Sequence, residues 1–347
     1  MGVMEVQPCA KLMQVDSQAA MRFQERDGAI LQAIYSYDGV LARRHLKAMF
    51  WPDAGARAME MRLSALYHQG YLNWPSAFQR RTQPIPEAIC WLGWRGALWI
   101  AQLRGAEVTP PASLNETQLR TLAAKLRQLG IRWLREPRWS QLVHDLAIVD
   151  VRLAFESAVA VIPSLALERW VSEGEFLSQM DVVEFGLRSQ DGSLRLMKRG
   201  VRPDAYCVIL DGERLSQGLP ARARLLLELD MATHDTGSFV REKAIAGVAY
   251  IRSPSYKSRF GHNSGRWLVV TTSAVRLNHL MQETRQALAV DAVVFWYTTL
   301  EQAKAGNVLT SPIWWRAGSD VPVSLFTQVG NSVPSTQSHL QIEVQPG

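Results

Sequence analysis

The stretch "ARARLLLELD", residues 221–230, constrains the fold more than any other part of the chain. Leu225, Leu226, Leu227 and Leu229 make it apolar on both sides. Side chains alternate across a strand, so a segment of this kind belongs inside a sheet that is covered on both faces. Two acids close it. Glu228 and Asp230, two residues apart, share one face while Leu229 points to the other. An isolated buried charge is costly. The pair is therefore either a strand end reaching solvent, with Arg224 or Arg241 as counter-charge, or half of a metal site.

The neighbouring patterns supply the covers. "QLVHDLAIVDVRLAFESAV" has apolar residues at helical spacing and reads as a long helix. "LERWVSE" and "VRPDAYCVIL" read as strands, and "VEFGLRSQDGSLRLMKR" as a hairpin turning at Asp191 and Gly192. After "ARARLLLELD" come a helix, "SFVREKAIAGVAYI", capped within Thr236, Gly237 and Ser238, then strand "RWLVVTT", helix "SAVRLNHLMQETRQAL" and strand "DAVVFWYTT". The order is helix, three strands, helix, strand, helix, strand. It predicts an α/β (α+β) domain with a mixed sheet flanked by helices.

A chain of 347 residues is long for one hydrophobic core, and its charge is uneven. Residues 1–140 hold 18 Lys and Arg against 11 Asp and Glu, while the remainder has 20 against 21. The basic excess sits in the N-terminal part, as contact with nucleic acid requires. There "DGAILQAIYSY", "LARRHLKAMF" and "AGARAMEMRLSALYHQGYL" read as three short helices, Gly70 as the left-handed cap of the third, and "YLNW" as the entry to a wing. Three helices and a wing resemble a winged-helix module. In such modules the third helix enters the major groove and the wing follows the backbone, which makes Arg57, Arg62, Arg80 and Arg81 the DNA-binding candidates. A protein-docking bundle with a solvated arginine face is the alternative. Trp91, Trp94 and Trp99 read as core rather than as a base-stacking platform. "GAEVTPPASLNET" reads as a linker, and the helix "LNETQLRTLAAKLRQLGI" follows it.

Several function classes are disfavoured. Cys9, Cys90 and Cys207 are isolated and odd in number, which suggests neither disulfides nor a thiolate zinc site. There is no GxxxxGK[ST], no GxGxxG after a strand, no HExxH and no GxSxG. No apolar run is long enough to span a membrane and no signal-peptide pattern opens the chain, so a cytoplasmic protein without a membrane partner is expected.

"PDAYCVIL" followed by "LLLELDMAT", a downstream "REKAIAGVAY" and the helical N-terminal part together resemble the replication-relaxation family of plasmid and mobile-element proteins, over roughly residues 25–325. The resemblance implies a restriction-endonuclease-like domain of the PD-(D/E)xK class. The expected division is an N-terminal segment 1–24, a winged-helix domain 25–105, a linker with a helix 106–139, the nuclease-like domain 140–325 and a tail 326–347. Asp204, Glu228 and Asp230 are then the expected ligands of Mg²⁺ or Mn²⁺, with Asp204, Glu228 and Lys243 catalytic.

Asp230 stands where nucleases of the restriction-endonuclease-like fold carry lysine. That departure puts cleavage in doubt and leaves Lys243, from the next helix, to supply the cation. His144 and Asp145 border the same place and are candidates to orient a ligand. "SYKSRFGHNSGR" brings Lys257, Arg259, His262 and Arg266 into what reads as a Gly/Ser loop suited to phosphate, which adds Lys257 and Arg259 to the DNA-binding set. The expected partners are double-stranded DNA and a relaxase or replication protein, with homodimerisation also open. The two functional expectations are a metal-dependent nickase and a non-catalytic DNA-binding regulator built on a degenerate nuclease fold.

Overall fold

The computed structural model describes residues 21–188, 194–232 and 235–326. Cys9, the turn expected at Asp191 and Gly192, and the polar tail from Asn331 lie outside them.

The N-terminal part runs α1 (Glu25–Ser36), β1 (Val40–Ala42), α2 (Arg43–Phe50), α3 (Ala56–His68), β2 (Leu72–Asn73), α4 (Ala77–Thr82), β3 (Ile89–Leu92) and α5 (Trp94–Leu103). The three strands form a small antiparallel sheet in the order β1-β3-β2. Ile30, Leu31 and Ile34 of α1 and Met59, Leu63 and Leu66 of α3 are buried in one core with Leu72, Leu92 and Ile100. Gly70 has φ +75° and ends α3, as its residue type demands. Helix α6 (Glu116–Gln128) lays Leu122 and Leu126 on the same core, so the segment after the proline-rich stretch packs back on the N-terminal part. Trp91 is buried and donates from Nε1 to the Arg135 carbonyl at 2.8 Å.

Helix α7 (Leu142–Ala160) serves three cores, Val149 joining that of the N-terminal part. Leu142 and Leu146 close against Val40, Ala42, Ile89 and Trp91 of the small sheet, while Ala147, Val151, Phe155 and Ala158 face the large sheet. Asp150, buried on the same helix, accepts from Arg44 Nη2 at 2.9 Å and lies 2.8 Å from His45 Nε2 and 3.3 Å from Lys304 Nζ. Burial raises the Asp150 carboxyl, but His45 and Arg44 outweigh it and hold the group well below the usual carboxylate range.

The rest of the chain runs β4 (Leu165–Ser172), α8 (Glu173–Ser178), β5 (Asp181–Arg188), β6 (Leu194–Val201), β7 (Ala205–Asp211), α9 (Gly212–Ser216), β8 (Arg222–Asp230) and α10 (Thr236–Phe239), then a π-helical turn Val240–Ala244 into α11 (Ile245–Ile251). After these come α12 (Pro254–Phe260), β9 (Arg266–Thr271), α13 (Ala274–Leu288), β10 (Phe295–Thr299), α14 (Leu300–Ala305), β11 (Trp314–Arg316) and β12 (Pro322–Val323). The large sheet has the order β12-β11-β10-β9-β8-β7-β4, with β5 and β6 forming a separate hairpin. β8 pairs antiparallel to β7 and parallel to β9, which in turn is parallel to β10.

This is the mixed α/β architecture that the element order predicts, with β8 inside the sheet. Leu225, Leu227 and Leu229 are buried beneath α7 and α14, and Leu226 beneath α11, α12 and α13. Burying each leucine contributes roughly 1.5–3 kcal/mol, so the run itself anchors the strand's register.

Three local readings change. The first half of the segment read as a Gly/Ser loop, as far as Phe260, is helix α12, with Ser253 capping Tyr256 N, Pro254 at the first turn and Gly261 at φ +75° ending it. The cap of α10 is Asp235, which accepts from Ser238 N at 2.8 Å, one residue ahead of the expected group. The segment read as a wing contains helix α4, capped by Ser76.

Candidate active site

Asp204 precedes β7 directly, and its own backbone extends the ladder by donating to the Leu227 carbonyl at 2.9 Å. Its carboxylate Oδ2 accepts from Leu229 N at 2.6 Å. These two bonds fasten the side chain across the neighbouring strand beside Glu228. Pro203 helps by holding Arg202 in an extended conformation at the strand entry. Asp204 and Glu228 are 6% and 3% exposed, so both carboxylates are withdrawn from bulk water.

Lys243 completes the group. It lies on the π-helical turn Val240–Ala244, where one extra residue per turn shifts the side chains that follow. Its Nζ pairs with Glu228 Oε1. Burial pushes Glu228 up to about 7, with the Lys243 charge pulling it back and the Asp204 charge adding to the rise. Lys243 is itself raised: burial opposes its charge, but Glu228 and Asp204 outweigh that cost.

His144, in the first turn of α7, puts Nε2 3.3 Å from Asp204 Oδ2 and Nδ1 3.7 Å from Asp145 Oδ1. Burial would lower this ring, yet Asp145 and Asp204 raise it to about 10, which favours the imidazolium. Burial likewise favours the neutral form of Asp204, but His144, Lys243 and the Leu229 N–H prevail and hold it below its ordinary value. Two carboxylates thus meet two cations. Behind them Arg138 joins Asp145 to Glu173, with Nη2 2.6 Å from Glu173 Oε2, and Arg202 reaches Glu173 at 3.3 Å. A cavity of about 30 Å³ opens on His144, Asp145, Glu173 and Asp204, enough for an ion or a water or two.

Asp230 does not join them. Arg276 grips its carboxylate with two bonds, Nε to Oδ2 at 2.8 Å and Nη2 to Oδ1 at 3.0 Å, and Thr271 Oγ1 donates to Oδ2 at 2.9 Å. The cause is topological. β8 lies between β7, which brings Asp204, and β9, which pairs Thr271 with Asp230, so the two acids are drawn to opposite neighbours. The expected cluster of three carboxylates is thereby corrected to a pair plus Lys243. Among the described residues, no group of three or more His, Cys, Asp or Glu side chains is arranged to hold a metal ion.

The DNA-binding candidates also separate. Arg57, Arg80, Arg81 and Lys257 are exposed. Arg62 turns inward: Nε lies 2.7 Å from Oδ1 of the fully buried Asp27, and Nη2 donates to the Arg22 carbonyl at 2.8 Å. Arg259 is held by Asp181 at 2.8 Å and lies over the Phe176 ring. Both leave the DNA-facing set because their charge is already matched inside the fold. The sequence reading missed Arg138, Glu173, Arg202 and Arg276. For Arg276, in the first turn of α13 after β9, the sequence offered no local sign, because the acid it grips ends the adjacent strand β8.

The family model for replication-relaxation proteins matches residues 31–260. The chain belongs to the replication-relaxation family. The matched span includes the N-terminal core and all of Asp204, Glu228 and Lys243, so the site of this replication-relaxation protein falls within the family's own boundaries. No curated protein and no solved structure matches the chain. Among the described residues no helix is long and apolar enough to cross a membrane.

Proposed function

We propose that this replication-relaxation protein binds double-stranded DNA of a plasmid or mobile element through its N-terminal part, and nicks one strand at Asp204, Glu228 and Lys243. The observation that carries this reading is an ammonium brought to two buried carboxylates on neighbouring strands from the helical segment that follows β8. It resembles the PD-(D/E)xK arrangement with the lysine moved, which is what supports the reading. The donor set fits a hard divalent ion: both acids are oxygen donors, and Glu228 at about 7 is an acid that a nearby cation would ionise. Asp204 and Glu228 would hold Mg²⁺ or Mn²⁺, which would supply charge stabilisation to a phosphodiester.

The chain's own groups have separate tasks. His144 and the Leu229 N–H fix the Asp204 carboxylate in place. Lys243, half exposed, exchanges Glu228 for a phosphate oxygen and stabilises charge as it develops. Arg57, Arg80 and Arg81 contact the duplex backbone.

One observation favours a second reading. His144 and Lys243 already balance Asp204 and Glu228 without a metal, and Asp230 is withdrawn onto Arg276. A cluster whose cations already face its carboxylates suits a non-catalytic DNA-binding regulator that accompanies a relaxase or replication protein. Supercoiled plasmid incubated with the protein and Mg²⁺ or Mn²⁺ separates the two. The nickase converts it to open circles, and Asp204→Ala and Lys243→Ala do not. Intact plasmid with an undiminished gel shift in all three proteins removes the enzyme reading.

A further inference from the structure

The face of the large sheet that carries Glu228 continues past Leu226 to a row of arginines that the site above does not use. Val208 of β7 pairs with Arg169 of β4 on one side and with Arg224 of β8 on the other, so the three residues stand in one line across the sheet. Side chains paired in this way share a face. Val208 and Leu226 are both buried in the core beneath α11, α12 and α13, which places Arg169 and Arg224 on that same side. Glu228 is there too, since every second residue of a strand points one way. Strands lie about 4.8 Å apart and rise about 3.3 Å per residue, so Arg169 and Arg224 start about 10 Å from each other, and Arg224 about 13 Å from Glu228.

These two cations are not spent inside the fold. Glu168, next to Arg169 at the bulge of β4, grips Arg222 with two bonds at 2.7 and 2.8 Å. Arg169 and Arg224 form no ion pair among the described residues. Arg224 reaches the Arg222 carbonyl, at 3.5 Å. Arg169 is exposed, and its guanidinium lies 5.7 Å from the centre of the Phe260 ring. Phe260 stacks in turn on Tyr206, with 3.9 Å between ring centres, so an aromatic floor lies beneath the row. Both charges reach that floor: burial raises the Tyr206 phenol, and Arg224 and then Arg169 pull it back. Two guanidiniums without a carboxylate, spaced along one face, call for a ligand that carries more than one negative group. A nucleic-acid strand is such a ligand, and 13 Å is about four nucleotide steps at about 3.4 Å each.

We propose that Arg169 and Arg224 form a second DNA contact, holding backbone phosphates about four nucleotides from the bond presented to Asp204 and Glu228. The inference rests on the reading of that site as one that receives DNA. The planar fork of each arginine takes two phosphate oxygens at once, and the contact reads no base sequence.

Anisotropy titration of a labelled duplex of about 20 base pairs with the full chain, between about 50 and 200 mM salt, tests this. Arg169→Gln combined with Arg224→Gln should weaken binding about tenfold or more and lower the slope of log affinity against log salt by about two, since each phosphate contact contributes about 0.9. Neither side chain has an internal ion pair to lose, so Tm should not move. Arg224→Lys, which keeps the charge without the fork, should fall between wild type and Arg224→Gln. An unchanged affinity and slope in the double variant overturn the proposal, as does a wild type that leaves the duplex free. The combined Arg57→Ala, Arg80→Ala and Arg81→Ala variant separates this inference from the N-terminal one. Loss of binding there with none in the double variant removes the second contact alone, whereas the reverse supports it and removes the N-terminal contact. Poly-glutamate that binds wild type as tightly as the duplex, and is lost in the double variant, would mark a surface for acidic protein and overturn the assignment to DNA.

Discussion

Lys243 closes onto Glu228 across 15 residues of sequence, from a π-helical turn to a buried strand end. The pair holds a carboxylate that burial alone would leave neutral. Burial raises Glu228 to about 7, and Lys243 keeps it from rising further. An acid raised in the folded state contributes stability that is complete below its unfolded value, near about 4.3, and that is lost as the pH passes its folded value. In the presence of a chelator, Glu228→Gln should therefore equal wild type at about pH 4 and exceed it by about 2 kcal/mol at about pH 8. Chemical denaturation at the two pH values checks this, and a variant less stable than wild type at the higher pH would refute the assignment.

Arg57 and Arg62 should behave oppositely although five residues apart on one helix. Arg62→Met leaves the buried Asp27 without its partner and should cost about 3 kcal/mol of stability. Arg57→Ala, at an exposed position, should leave stability within about 0.5 kcal/mol. It should instead weaken duplex binding and reduce the slope of log affinity against log salt by about one. Thermal unfolding and gel shifts at several salt concentrations give both quantities.

Asp150 ties α7 to the N-terminal part through Arg44 and His45. Its depressed carboxyl contributes stability that is present above its unfolded value, near about 3.9, and lost as the pH falls toward its folded value. Asp150→Ala should lower stability at neutral pH by about 3 kcal/mol and flatten the acid limb of the stability profile. Denaturation midpoints between about pH 3 and 7 report the change in slope.

Asp230→Ala should destabilise without inactivating. It strands Arg276, whose side chain is 14% exposed, and should cost about 1–3 kcal/mol, a shift of several degrees in Tm. Nicking, if it depends on Asp204 and Glu228, should persist at unchanged metal dependence.

The physical contrast between Asp204 and Asp230 explains how much the sequence could disclose. A strand apolar on both faces is interior, and its antiparallel neighbour places Asp204 beside Glu228, so the sheet and that carboxylate pair were legible. Lys243 was legible too, because the helix after the strand must begin near its end. The lean of Asp230 was not: it depends on Thr271 and Arg276, 41 and 46 residues later, and on which side of β8 the β9 strand docks. Arg62 was misread for a similar reason. Its helical spacing allowed an outward face, and only the buried Asp27 on α1 turned it in. Helix α12 was hidden because Pro254 and Gly261, which begin and end it, are also the residues that punctuate loops. β11 and β12, three and two residues long, carry too little pattern to register.

The central claim, that Asp204 and Glu228 rather than Asp230 form the cation site, is tested most directly by Mn²⁺ titration of wild type, Asp204→Ala, Glu228→Gln and Asp230→Ala at neutral pH. One Mn²⁺ per chain should bind wild type and Asp230→Ala alike and should be lost in the other two. Loss in Asp230→Ala with retention in Asp204→Ala, or no Mn²⁺ on wild type, would contradict the account.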